Sequence, residues 1–79
     1  MAILVKLSAS LQTKVEGYDR LSGLSLPAVA GESVRDLLAR LGIPPKEVKI
    51  VMLNGLAAPL DAPVKDGDRV AFFPPVGGG

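Results

Sequence analysis

Only one stretch of this chain has the spacing of a helix, and it lies between segments that alternate like strands. Val34, Leu37, Leu38 and Leu41 fall at i, i+3, i+4 and i+7, one apolar stripe of a helix. Ser33 stands at the N-cap position, and Asp36, three residues on, is a shorter version of the acid of a capping box. Glu32 and Asp36 also suit the positive end of the helix dipole. Gly42 supplies a stop and Pro44-Pro45 forbids continuation, so the spacing predicts a helix of about nine residues. A helix that short is not stable alone, so its stripe must be covered by a sheet. Asp36 and Arg40, spaced i and i+4, are expected to form a solvent-exposed pair worth a few tenths of a kcal/mol.

The flanking segments supply that sheet. Ile3, Val5 and Leu7 alternate with Leu4, Lys6 and Ser8, which predicts a first strand buried on one face. Glu16-Gly17-Tyr18-Asp19 carries turn chemistry, and Leu24-Ser25-Leu26 alternates again up to Pro27, suggesting an opening hairpin with a loose connection. Beyond the helix, Val48 to Leu53 is an apolar run broken only by Lys49, and Asn54-Gly55 is a strong hairpin-turn signal. Leu56 to Leu60 reads as a short strand or extended piece limited by Pro59, Pro63 begins a turn region, and Asp66-Gly67-Asp68 reads as a tight turn. Arg69 to Phe73 is the expected final strand, ended by Pro74-Pro75. Strand, strand, helix, strand, short strand, strand predicts an α+β fold. Its mixed sheet of about four or five strands carries one main helix on one face. This is the ubiquitin-like β-grasp arrangement, in which the first and last strands lie parallel at the centre. Residues 1–75 are read as the β-grasp domain and 76–79 as a flexible glycine tail.

Composition narrows what such a domain can do. With 79 residues and 48% hydrophobic side chains, the chain supports one small core, built mainly from aliphatic residues because Tyr18, Phe72 and Phe73 are its only aromatics. Nine basic and eight acidic residues are scattered without a basic cluster, which argues against a nucleic-acid partner. Lys6 interrupts the apolar start after Ala2-Ile3-Leu4-Val5, too early for a membrane span or a signal-peptide core, so a cytoplasmic protein is expected. The absence of Cys and His removes the usual zinc ligands and the commonest acid–base catalyst. Asp66 and Asp68 read as a turn rather than as ligands of a hard cation, so no metal is expected. Gly77-Gly78-Gly79 lacks the helix and Lys that a phosphate loop needs.

What remains is the last strand and its tail. If Val70 and Phe72 face the helix, Ala71 and Phe73 face the other side. Phe73 then reads as an anchor that docks a partner, or as an aromatic covered by the tail or loops. Pro74-Pro75 favours the stiff polyproline II conformation, and the four residues after it reach on the order of 13 Å. Glycines without Cβ atoms can pass through a narrow channel. A glycine run taken alone reads as a frayed terminus. After a Phe-bearing strand and a stiff base it reads as a projecting tail.

From Asp66-Gly67-Asp68-Arg69-Val70-Ala71-Phe72-Phe73-Pro74-Pro75-Val76 to Gly77-Gly78-Gly79, the chain closely resembles the MoaD/ThiS family of sulfur carriers. The stretch from Asp66 to Val76 is most similar to the molybdopterin synthase branch. The resemblance implies that a ubiquitin-activating-type adenylating enzyme, using ATP, converts the Gly79 carboxylate to an acyl-adenylate. Sulfur from a donor protein then displaces the adenylate to give a thiocarboxylate. It further implies that the tail enters the large subunit of a molybdopterin synthase, where the sulfur builds the dithiolene of the molybdenum or tungsten cofactor. The chain itself is then a carrier rather than an enzyme and binds no cofactor. Gly79 carries the sulfur, and Gly77 and Gly78 give access. The resemblance also implies docking through the open sheet face and tail base, here Ala57, Ala71, Phe73, Pro74, Pro75 and Val76, with Lys6 and Ser8 making the rest of that face more polar. A third glycine, Gly77, departs from the usual ending of the molybdopterin branch. A carrier for thiamine thiazole synthesis and a ubiquitin-like modifier conjugated through Gly79 remain alternatives.

Overall fold

The alternating start of the chain becomes β1 (Ala2–Leu7), which buries Ile3, Val5 and Leu7 and leaves Leu4 and Lys6 half-buried. The structure, a computed structural model, describes residues 2–75, so the tail positions Val76, Gly77, Gly78 and Gly79 and the expected boundary before them lie outside the described residues. β2 (Leu24–Pro27) pairs antiparallel with β1, Leu26 opposite Ile3 and Leu24 opposite Val5. The loose connection between them contains a 3-10 helix, Ala9–Lys14, that the sequence did not announce. It buries Leu11 alone, and one apolar residue leaves no periodic signal. Tyr18 closes the loop onto the sheet: its hydroxyl accepts from the Leu7 amide at 2.8 Å and donates to the Leu7 carbonyl at 3.3 Å.

The helical stripe becomes α1 (Val34–Leu41), within a residue of its expected length. Ser33 Oγ accepts from the Asp36 amide at 3.2 Å and the Asp36 carboxylate accepts from the Ser33 amide at 3.0 Å, so the shorter acid still completes a capping box. Gly42, at φ 75°, takes the left-handed position that ends the helix. The expected Asp36–Arg40 pair does not form. Asp36 is committed to the cap, and Arg40 instead grips Glu32 through Nε and Nη2, both at 2.7 Å, while Nη2 also donates to the Pro27 carbonyl at 2.8 Å. Glu32 is 5% exposed, and a buried carboxylate is costly without a charged, hydrogen-bonding partner.

A second 3-10 turn, Pro45–Glu47, precedes β3 (Ile50–Leu53), which is shorter than the apolar run from Val48. β4 is also short, Leu56–Ala57 rather than a strand to Leu60. The chain leaves the sheet there because the start of α1 needs acceptors: the Leu60 carbonyl takes the Arg35 amide at 2.7 Å and the Ala62 carbonyl takes the Val34 amide at 2.9 Å. β5 (Arg69–Phe73) runs parallel to β1 and antiparallel to β3, giving the strand order β2-β1-β5-β3-β4 expected of a β-grasp. Val34, Leu37 and Leu38 of the helix join Ile3, Val5, Leu7, Val51, Val70 and Phe72 of the sheet in one buried cluster. Each such side chain is worth roughly 1.5–3 kcal/mol when fully buried. Leu4, Ile50, Met52, Ala71 and Phe73, which alternate with these strand residues, lie outside that cluster.

Candidate docking face and tail base

Strand register fixes which residues share the face away from α1, because side chains directly opposite in a ladder point the same way. Lys6 is opposite Ala71, Ala71 is opposite Met52, and Met52 is opposite Ala57, so these four form one row across the sheet. Phe73 is opposite Ile50 in the next row toward the tail, and Leu4 is opposite Arg69 in the row on the other side. The sequence-predicted Ala57, Ala71 and Phe73 are therefore brought together on one face. Ala57 is exposed, whereas Ala71 and Phe73 are half-buried. Sequence reasoning missed Ile50, which is 47% exposed, together with Met52 and Leu4. For Met52 the signal was present in Asn54-Gly55: a two-residue turn sets Leu53 opposite Leu56, and hence Met52 opposite Ala57.

The expected polar character of Lys6 is displaced to the margin. Its Nζ donates to the Leu21 carbonyl at 3.1 Å, drawing the ammonium toward the turn that leads into β2. That turn packs close to β1: Gly23 has φ +79°, and a Cβ there would lie 2.8 Å from the Val5 carbonyl oxygen. Asp19 accepts from the Leu21 amide at 2.8 Å, and this bond above all holds its carboxyl below the usual range. The middle of the face is left to Ala71, Met52, Phe73 and Ile50.

β5 delivers the chain to the tail base. The Lys49 amide donates to the Phe73 carbonyl at 2.8 Å, the last rung of the ladder before Pro74 and Pro75, which have no amide proton to continue it. At the other end of β5, Asp68 is 7% exposed and holds the corner of the sheet. Its carboxylate accepts from Asn54 Nδ2 at 3.0 Å and from the Lys65 amide at 2.9 Å, and these bonds, the first foremost, hold its pKa below the ordinary value. One carboxylate oxygen thus holds the β3–β4 turn and the other the turn that leads into β5. Among the described residues there is no group of three or more potential metal ligands, no ligand-sized pocket, and no helix long and apolar enough to cross a membrane. The arrangement presents an apolar face and leads a strand to Pro74-Pro75.

Known proteins share the fold. The model of the ThiS family matches residues 5–79. Over 53 residues the chain is 43% identical to a molybdopterin synthase sulfur carrier subunit of Haemophilus influenzae, a match that covers 61% of this chain and 65% of that protein. The match thus spans just under two thirds of that relative's length. Among solved structures, SAMP1 of Haloferax volcanii superposes with a TM-score of 0.71 at 24% identity over 100% of both chains. Urm1 of Trypanosoma brucei gives 0.72 at 20% identity, covering 99% of this chain and 95% of its own. Both likenesses are of fold. The complex of subunits 1 and 2 of the molybdopterin-converting factor of Helicobacter pylori contains a chain that matches with a TM-score of 0.57 at 25% identity over the full length of both.

Proposed function

The chain belongs to the ThiS family, and on that premise we propose that it is a sulfur carrier whose Gly79 carboxylate is adenylated and then converted to a thiocarboxylate. The observation that carries this reading is the end of β5: Phe73 lies on the open face in the residue before Pro74-Pro75, and the three glycines follow after Val76. A carboxylate is a poor electrophile until it is given a good leaving group, and a chain without Cys or His has no strong nucleophile or base to arrange that. Activation therefore falls to an ATP-using adenylating enzyme, and the sulfur to a donor protein. The open face, with Phe73, Met52, Ile50, Ala71 and Ala57, holds the partner while Val76 and the glycines reach its reacting centre. Gly79 carries the sulfur, and Gly77 and Gly78 keep the passage narrow. The Haemophilus relative and the Helicobacter complex favour molybdopterin synthesis as the destination, with a synthase large subunit as the partner that takes up the sulfur.

Intact-mass spectrometry tests the proposal. Incubated with an adenylating enzyme of this type, ATP and a sulfur donor, the protein gains about 16 Da, as sulfur replaces oxygen in the activated carboxyl group. Deleting Gly79 abolishes the gain and leaves the melting temperature nearly unchanged. No gain with an enzyme active on its own carrier overturns the reading. Co-purification with a thiazole-synthase-type enzyme in place of a molybdopterin-synthase-type subunit would redirect the sulfur without touching the carrier chemistry.

A further inference from the structure

We propose that Asn54 is a self-modifying site held in check by the fold: the Asn54-Gly55 pair is set to cyclise and hydrolyse to aspartate or isoaspartate, and Asp68 restrains it. The turn is exposed at both residues, with φ 52° at Asn54 and 85° at Gly55. Apart from its chain neighbours, nothing lies within 4 Å of the position a Gly55 Cβ would take, and Gly55 has no side chain of its own to hinder its nitrogen. In the covalent step that nitrogen loses its proton and attacks Asn54 Cγ. The Cγ–Nδ2 bond breaks, and Nδ2 leaves as ammonia. The five-membered succinimide is then opened by water at either of its carbonyls.

Two bonds stand against that attack. Asn54 Nδ2 donates to Asp68 Oδ1 at 3.0 Å, and Asn54 Oδ1 accepts from the Arg69 amide at 2.9 Å, so both ends of the side-chain amide are tied to the start of β5. The Asn54 backbone amide is tied there as well, to the Arg69 carbonyl at 2.8 Å. Turning Cγ toward the Gly55 nitrogen requires the side-chain bonds to open. Once ammonia has left and water has opened the ring the step does not reverse, and a new carboxylate then faces Asp68 where an amide donor stood, which disfavours the native contact. An isoaspartate also lengthens the backbone of a turn whose register sets Met52 opposite Ala57. The restraint therefore protects the shape of the open face.

Ageing the full chain in mildly alkaline buffer and following the tryptic peptide spanning residues 50–65, which gains about 1 Da when an amide becomes an acid, tests this. The folded protein is expected to convert at least about tenfold more slowly than the same chain in urea, the rate equivalent of roughly 1.4 kcal/mol of restraint. Asp68→Ala, or Asp68→Ser if the first fails to fold, converts about fivefold faster than the parent while circular dichroism shows it folded. Ser33→Ala, a destabilising change at the remote helix cap, leaves the rate unchanged. Equal rates with and without urea, no acceleration on replacing Asp68, or an equal acceleration in Ser33→Ala would overturn the proposal.

Discussion

Asp68 illustrates how a single buried carboxylate couples distant parts of this chain. It accepts from Asn54, which sits in the β3–β4 turn, and from the Lys65 amide in its own turn, and both bonds favour the ionised form. Because the folded protein holds this carboxyl below its unfolded value, the contribution is fully present above the unfolded value and is lost as the pH falls through the folded one. Asn54→Ala removes the larger support. At neutral pH it is expected to lower stability by about 1–2 kcal/mol in urea unfolding. The gap from the parent should narrow toward strongly acidic pH, where Asp68 is protonated in both. A gap independent of pH would mean that Asn54 acts through turn conformation alone. The local part of this arrangement was legible: Asp66-Gly67-Asp68 reads as a turn and forms one, with Gly67 at φ 90°. The tie to Asn54 was not, because propensity and turn chemistry act over a few residues and say nothing of partners 14 positions apart.

The helix α1 was readable at both ends and misread along its side. Ser33 and Gly42 act through bonds within one turn, which is why the sequence placed the limits of the helix so closely. Arg40 had two acidic neighbours to choose from, and the i, i+4 rule selected Asp36 where the folded protein selects Glu32. That rule describes an isolated helix, and it loses when a tertiary contact buries one of the candidate carboxylates. The distinction is measurable. Ser33→Ala should cost about 1 kcal/mol, the ordinary value of an N-cap. Arg40→Ala should cost about 2 kcal/mol, because it leaves Glu32 buried without its charged partner. A double-mutant cycle between Glu32 and Arg40 should return a coupling near 1 kcal/mol or more, and one between Asp36 and Arg40 a coupling near zero. The reverse ordering would show that the bidentate contact contributes little in solution. The 3-10 segments were invisible for a different reason: Ala9–Lys14 and Pro45–Glu47 are too short to repeat an apolar period.

At the scale of the whole molecule, the sheet presents two different faces through one alternation. Val51 and Val70 point into the core, and Met52 and Ala71, one residue along each strand, share the opposite face. The parallel pairing of β1 with β5 followed from element order alone, since the intervening helix and β3–β4 hairpin supply the crossover. The membership of the open face depended on register, and sequence reasoning named Ala57, Ala71 and Phe73 but missed Met52, which the Asn54-Gly55 turn sets opposite Ala57. The two faces should separate stability from binding. Met52→Glu places a charge in the middle row of the open face, on a half-buried side chain outside the core cluster. Its unfolding free energy should change by only about 0.5 kcal/mol. Affinity for a molybdopterin-synthase-type large subunit, measured by calorimetry, should fall by about 30-fold, the equivalent of roughly 2 kcal/mol for a central contact residue. Val51→Ala, adjacent in sequence and 6% exposed in the core, should do the opposite: lose about 1–3 kcal/mol of stability and bind as the parent does. If Met52→Glu binds normally while Val51→Ala unfolds as expected, the open face is not the docking surface, and recognition falls to the tail and its Pro74-Pro75 base.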